Sequence, residues 1–335
     1  MKTLILKQNE VKIAVDLLAR GEIVAVPTET VYGLAADATN RLAVEKIFLA
    51  KGRPQDNPLI VHIAKISDWS ILSKSISKEA YILARKFWPG PLTIILNKTG
   101  FIPSIVTAGS NRVAVRMPNH KLALEIISKL GKPIAAPSAN ISGRPSPTCA
   151  EHVINDLEGK ISAILDGGNC HVGIESSVID MSREKIKLLR PGFITAEEIS
   201  EIVNKPVEID KSINFSLKEN ETVESPGTKY KHYAPNTKLI LVSANKENFA
   251  EFVNLKQECG ALCFDDDANL IKIPKITYGN SNDPKEQFYK LFDALRKIDD
   301  LNLNIFYVHS PKNHGLFLAV FNRLLRACNF MVIRL

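Results

Sequence analysis

Two short polar stretches hold side chains that a packed interior does not need. Between Pro27 and His62 lie PTETVYG, a Lys51-x-Arg53 pair and LIVHI, and PSANISGRPSPT follows at 137–148. In the first stretch, Thr28 and Thr30 can satisfy a polar ligand or cap a strand-to-turn connection. Alternate residues of an extended segment point the same way, so Lys51 and Arg53 are expected to stand side by side. Two such cations repel unless an anion lies between them. A triphosphate supplies one: arginine binds it as a fork and lysine as a point charge. Solvated surface cations are the ordinary alternative, but Pro54, Asn57 and Pro58 fix the backbone that follows. His62 sits in an apolar run. It is either a satisfied core histidine or a pocket residue, since period 2 sets it opposite Val61 and Ile63.

In the second stretch Ser138 and Asn140 can donate to phosphate oxygens, and serine can help hold a Mg2+ shell. Ser142, Gly143 and Ser146 continue into a loop whose backbone can approach a ligand, although an Asx-turn loop has the same composition. Arg112 and Arg116 flank the apolar residues 113–115, Ser176 and Ser177 open a strand in GIESSVID, and Arg190 precedes a turn in LLRPG. An arginine near an apolar strand must have a partner. These three arginines, with Lys51 and Arg53, imply a shared anionic one. The chain contains no G-x4-G-K-[ST], G-x-G-x-x-G, G-x-S-x-G or H-E-x-x-H motif and no obvious Cys/His pair. Chemistry by positioning and charge neutralisation, as in phosphoryl or nucleotidyl transfer, fits better than nucleophilic or zinc catalysis.

The elements that must position these residues are short strands alternating with helices. Strands are expected at 23–26, 59–63, 92–96, 113–116, 134–136, 163–166 and 177–180. Helices are expected at 9–20, 42–50, 77–87 and 120–130. Residues 205–237 are polar and aperiodic and read as a linker. From 238 to 335 a βαβ-type alternation restarts, which indicates a small parallel α/β domain. A length of 335 residues and 45% hydrophobic content agree with two cores. Most of the +7 net charge lies before residue 205, which suits phosphate-bearing ligands or transient RNA contact. Five scattered cysteines, Cys149, Cys170, Cys259, Cys263 and Cys328, suggest neither a disulfide framework nor a zinc site. No signal peptide or membrane span is evident, so the expectation is a cytoplasmic protein that does not engage a membrane.

PTETVYGL, KGRP..NPLIVHI, VAVRMP, APSAN.SGRPSPT, GIESSVID and LLRPG, in that order, resemble the YrdC/Sua5 family. SPGTKYKHYAP at 225–235 and a final helix with NRLLRAC resemble its long, Sua5-type form. The resemblance implies a YrdC-like catalytic domain over 1–204, a twisted α/β sheet with a concave positive cavity. A linker or lid at 205–237 and a smaller Rossmann-like domain at 238–335 would follow. It implies L-threonylcarbamoyladenylate synthase, making threonylcarbamoyl-AMP and pyrophosphate from ATP, bicarbonate and L-threonine. The product would feed N6-threonylcarbamoyladenosine formation through a downstream threonylcarbamoyl transferase complex, with tRNA contacted indirectly or transiently. Carried over by motif, Lys51 and Arg53 are catalytic. Arg53, Asn57, Arg112, Ser138, Asn140, Ser146, Arg190 and His232 bind ATP with its Mg2+, for which no protein ligand is assigned. Thr30, His62, Arg116 and Ser176 bind threonine, with Arg116 on its carboxylate. Tyr230 and His232 or Tyr233 would reach the cavity from the lid. The last helix, HGLFLAVFNRLLRAC, is bulkier than the family's small-residue version. The alternatives are a carbamoyl-transfer domain of the same fold, whose C-x2-C pairs are missing here, and an RNA-binding module without chemistry.

Overall fold

A computed structural model describes residues 2–215 and 232–335. The first domain is built on a mixed sheet of eleven strands. Across the sheet they run Leu4–Leu6, Ala163–Leu165, Val24–Val26, Gly33–Asp37, Ile134–Ala135, Ile60–His62, Arg112–Arg116, Leu92–Asn97, Ser177–Asp180, Ile186–Arg190 and Val207–Ile209. Side-chain alternation sorts these strands between two faces. On one face Ala25, Leu34, Val61, Ile94 and Val115 pack beneath the helices Arg41–Lys51, Lys78–Phe87 and Ala196–Val203. On the other, Val24, Val26 and Ala35 pack beneath Val11–Ala19 and Lys121–Leu130. That second cover reaches only one end of the sheet. Ile60, Ile95, Ala114, Val178 and Leu189 share this face farther along and form a small separate cluster. The uncovered stretch beside them is where a ligand can lie.

Local chemistry explains most boundaries. Asn40 caps the helix Arg41–Lys51 by accepting from the N–H groups of Leu42 and Ala43, and Gly52 ends it at φ 60°. Ser77 caps Lys78–Phe87, and Thr195 with Glu198 forms a capping box on Ala196–Val203. Several elements escape sequence patterning. Gly33–Asp37 is buried throughout and shows no alternation. Leu4–Leu6, Val207–Ile209 and Lys275–Thr277 are three-residue edge strands, too short to show a period. Val207–Ile209 pairs in parallel with Ile186–Leu188, so the first sheet extends into the expected 205–237 linker. Residues 216–231, Tyr230 among them, lie outside the described residues.

The second domain is a wholly parallel five-stranded sheet in the order Lys275–Thr277, Gly260–Cys263, Ile305–His309, Lys238–Ser243, Val332–Arg334. Its core takes in Val31 and Ile174 of the first domain. Polar contacts also cross the joint. Arg296 binds Asp156 at 2.8 and 3.2 Å and donates to the Pro145 carbonyl at 2.6 Å. His152 stands beside Cys149 at the start of Ala150–Leu157, a pairing not evident from sequence. Its Nε2 lies 3.4 Å from Asp293 of the second domain. The helix Phe317–Ala327 is buried on nearly all sides, which accounts for its bulky residues. Leu324 and Leu325 face the second core, whereas Asn322, Arg323 and Arg326 bind the first domain.

The tightest approach at the joint is Gly173, at φ +86°, where an added Cβ would stand 2.4 Å from the Phe288 carbonyl oxygen. Gly168 has nearly the same backbone, φ +81°, but no atom within 4 Å of such a Cβ. Alanine at Gly168 should therefore cost about 1 kcal/mol, the left-handed term alone. Gly173→Ala should cost distinctly more, because the second domain has to move. Urea unfolding of the two variants measures the difference.

Candidate functional site

The uncovered face opens into a cleft of about 560 Å³, its mouth included, lined by Thr28, Thr30, Gly33, Arg53, Ile60, His62, Arg116, Ser138, Glu175, Arg190 and His232 among others. Three different local devices bring its arginines there. Gly52 in the left-handed conformation reverses the chain after the helix, with the Arg53 N–H bonded to the Phe48 carbonyl at 2.9 Å. The Arg53 guanidinium then donates to the carbonyls of Asn57 (3.3 Å) and Pro58 (3.0 Å). Arg116 arrives by strand parity, since its register partner is His62 and both belong to the ligand face. A bulge delivers Arg190. Leu188 pairs with Ile179 over the helix-covered core, then the register shifts so that Arg190 pairs with Val178 on the opposite face. Strict alternation from Leu188 would have buried Arg190 under helices; bulges commonly re-aim a side chain in this way.

Several other expected site residues are not among the residues lining the cleft. Lys51 is the last residue of its helix, not part of an extended segment, and the left-handed Gly52 separates it from Arg53. Its ammonium donates to the carbonyls of Ser138 at 2.5 Å and Asn140 at 2.6 Å and lies 3.5 Å from Asn140 Oδ1. All three donors are directed at the 138–140 loop, and Lys51 does not line the cleft. Burial, then the Arg53 charge, pushes its pKa well down. Asn140 is equally internal and donates to the carbonyls of Ile141 and Arg144. Ser146 donates to Glu175 at 2.5 Å, and Ser176 Oγ bonds Thr93 at 2.7 Å. Asn57 is 3% exposed, with its Oδ1 buried and unpartnered among the described residues. Arg112 lies at the far end of its strand, donates to Asp180 at 2.7 Å, and is outside the cleft lining. Of the five cations expected to share one anion, Arg53, Arg116 and Arg190 line the cleft. Lys51 donates to the 138–140 loop and Arg112 pairs with Asp180.

Two carboxylates complete the site. Glu29 Oε2 forms a 2.7 Å ion pair with Arg116 Nη2, out of line for a hydrogen bond, while Arg116 Nε donates to the Gly90 carbonyl at 3.2 Å. Glu175 lines the cleft. Burial favours its neutral acid, but Arg323, Arg190 and Ser146 outweigh that and lower its pKa. In the sequence the hydroxyls around both residues point to a ligand, whereas the acids do not. An acid set among hydroxyls shows its role only once the fold supplies the arginine it pairs with.

The two histidines are neutral at physiological pH. Burial first, then Arg116, lowers His62 to about 3, and burial also takes His232 to about 3. Both Nδ1 atoms are buried without a partner among the described residues. Orphaned buried polar atoms of this kind mark a place that a ligand completes. His232 is presented by Tyr233, which is 1% exposed, adopts φ 64° and stacks on Phe292 at 5.3 Å. The next residue, Ala234, donates its N–H to the Gly143 carbonyl at 2.9 Å.

With this geometry in hand, known proteins offer a direct comparison. Residues 16–192 match the Sua5/YciO/YrdC family, described as telomere recombination. Residues 194–329 match a family described as the C-terminal domain of threonylcarbamoyl-AMP synthase. The threonylcarbamoyl-AMP synthase of Pyrococcus abyssi is 42% identical, with 98% of this chain and 97% of the relative covered. That of Bacillus subtilis is 43% identical over 96% of this chain and 93% of the relative. The crystal structure of P. abyssi Sua5 complexed with L-threonine superposes with a TM-score of 0.89 at 39% identity, covering all of both chains. Escherichia coli YciO shares the first domain's fold alone, at TM-score 0.53 and 21% identity over 59% of this chain. The chain belongs to the Sua5/YrdC family, in its two-domain threonylcarbamoyl-AMP synthase form.

Proposed function

We propose that the cleft holds L-threonine and ATP side by side and, with CO2 formed from bicarbonate by loss of water, produces threonylcarbamoyl-AMP and pyrophosphate. The observation that carries this is that one cavity gathers Thr30, His62 and Arg116 together with Arg53, Ser138 and Arg190 in its lining. In this reading the first three form a threonine half and the last three a nucleotide half. The likeness to a relative complexed with L-threonine supports the amino acid as one of the two ligands, and we give Thr30, His62 and Arg116 to it. Arg116 is anchored through Nε and Nη2, which leaves Nη1 for the threonine carboxylate. Arg53 and Arg190 then face the triphosphate.

The chemistry needs little from side chains beyond placement and charge. Threonine's amino nitrogen bonds to the carbon of CO2 and releases a proton, giving N-carboxythreonine. A carbamate oxygen attacks the α-phosphorus of ATP, the bond to the bridging oxygen breaks, and pyrophosphate leaves with charge that Arg53 and Arg190 neutralise. His62 has too low a proton affinity to serve as a base at neutral pH and acts as a hydrogen-bond partner. Lys51 takes no direct part in this scheme; it sets the 138–140 loop. Among the described residues no cluster of three or more His, Cys, Asp or Glu is suited to a metal, and Arg323 and Ser146 already engage Glu175. The described residues thus offer no ready-made cage of carboxylates for Mg2+. The ion would enter on the triphosphate, and no step here is routed through it. The product suits a downstream enzyme that transfers the threonylcarbamoyl group to a tRNA adenosine. Among the described residues no helix is long and apolar enough to cross a membrane.

Pyrophosphate release that requires ATP, threonine and bicarbonate together, with a labelled adenylate formed from labelled bicarbonate, is the expected outcome for the purified chain. Release independent of threonine and bicarbonate would refute the assignment. Arg53→Ala should lower turnover by about 100-fold or more, with L-threonine binding by calorimetry intact. Lys51→Met should impair turnover and also destabilise the fold, because two loop carbonyls lose their donor.

The histidines also set a pH dependence. The unfolded chain takes up protons at both as pH falls below about 6.5, whereas the folded chain resists until about 3. Stability contributed by keeping them neutral is complete above 6.5 and drains away as pH falls. Urea midpoints should drop between pH 7.5 and 5.5, and less steeply in a His62→Gln/His232→Gln variant.

A further inference from the structure

Among the described residues, none of those lining the cleft belongs to the second domain, yet that domain delivers one guanidinium to the back of it. Arg323, on the helix Phe317–Ala327, is fully buried. Its Nε lies 3.0 Å from Glu175 Oε2, its Nη1 donates to the Pro191 carbonyl at 2.7 Å, and its carbon lies 5.4 Å from the centre of the Tyr233 ring. Each of these partners adjoins a cleft residue. Glu175 lines the cleft, holds Ser146, and precedes Ser176, whose carbonyl and hydroxyl anchor Arg190 at 3.0 and 3.1 Å. Pro191 follows Arg190, and Tyr233 follows His232. One side chain thus fixes three separate pieces of wall.

Domain docking alone does not call for such a residue. The joint already has an apolar core around Val31, Ile174 and Phe288 and an ion pair at Arg296–Asp156. Burying a guanidinium completely carries a desolvation penalty that neither apolar packing nor docking needs. The threonine half is secured differently, because Arg116 is held by Gly90 and Glu29, both of the first domain. We propose that Arg323 is a positioning residue through which the docked C-terminal domain sets Arg190 and His232, so that nucleotide binding depends on that domain while threonine binding does not.

The inference rests on the two-substrate reading above, and binding measurements separate the two. Full-length Arg323→Met should bind a non-hydrolysable ATP analogue about tenfold more weakly, the usual scale of coupling between sites. Its affinity for L-threonine, by calorimetry, should stay within about twofold of the parent. In turnover the loss should fall on the KM for ATP. Because both side chains act along one path, Arg323→Met combined with Glu175→Gln should be no worse than Arg323→Met alone. Should Arg323→Met not fold, Arg323→Lys serves instead, since an ammonium cannot span Glu175 and Pro191 together. Unchanged analogue binding, an equal loss of both ligands, or additive effects at Glu175 would overturn the proposal. A parent chain that binds both ligands without forming an adenylate would count against the proposed reaction and leave this inference supported or refuted by the same binding comparison.

Discussion

A cation taken out of water has to be met by oxygen, and the first domain is organised around that requirement. Its sheet exposes a stretch of face to a cleft and places arginines there. What separates a substrate-facing cation from a structural one is how many of its donors the protein uses. Lys51 has three, and all are directed at the loop holding Ser138 and Asn140. A guanidinium has five, so Arg53, Arg116 and Arg190 can each be anchored at two points and still offer an edge to a ligand. The anchors are mostly carbonyls and hydroxyls, which hold a guanidinium without cancelling its charge. Arg116 is the exception. Its carboxylate partner Glu29 keeps Oε1 without a partner among the described residues.

The same requirement links the domains. Arg296 and Arg323 each cross the joint to a carboxylate of the first domain, and Arg326 crosses to the carbonyl of Ser212. The last helix presents Leu324 and Leu325 to its own core, and Leu318, Arg323 and Arg326 to its neighbour. That division explains why it carries large residues on almost every side.

Much of this was legible in the chain. The α/β class and the restart of a parallel domain near residue 238 follow from periodicity. The placing of Arg53, His62, Arg116, Ser138, Arg190 and His232 around one hollow was foreshadowed by residue type and motif. The failures share a cause, because they concern direction. Lys51 and Arg53 looked equivalent, but one ends a helix and the other follows a left-handed glycine. Arg190 turns on a register shift that no hydrophobic pattern encodes. Glu29 and Glu175 were passed over because an acid in a cationic pocket acquires meaning only once its partner is known. Edge strands such as Val207–Ile209 were invisible because three residues cannot display a period.

The pairing of Leu4–Leu6 and Val24–Val26 on either side of Ala163–Leu165 has a bearing on biosynthesis. Both early strands need a neighbour that leaves the ribosome only after about half of the chain has been made. Until then Val24 and Val26 have only the antiparallel Gly33–Asp37 to pair with, and Leu4–Leu6 has no partner strand. Contacts this distant in sequence close slowly. The opening segment of the nascent polypeptide therefore waits as an unsealed sheet margin, the part most in need of chaperone cover during translation.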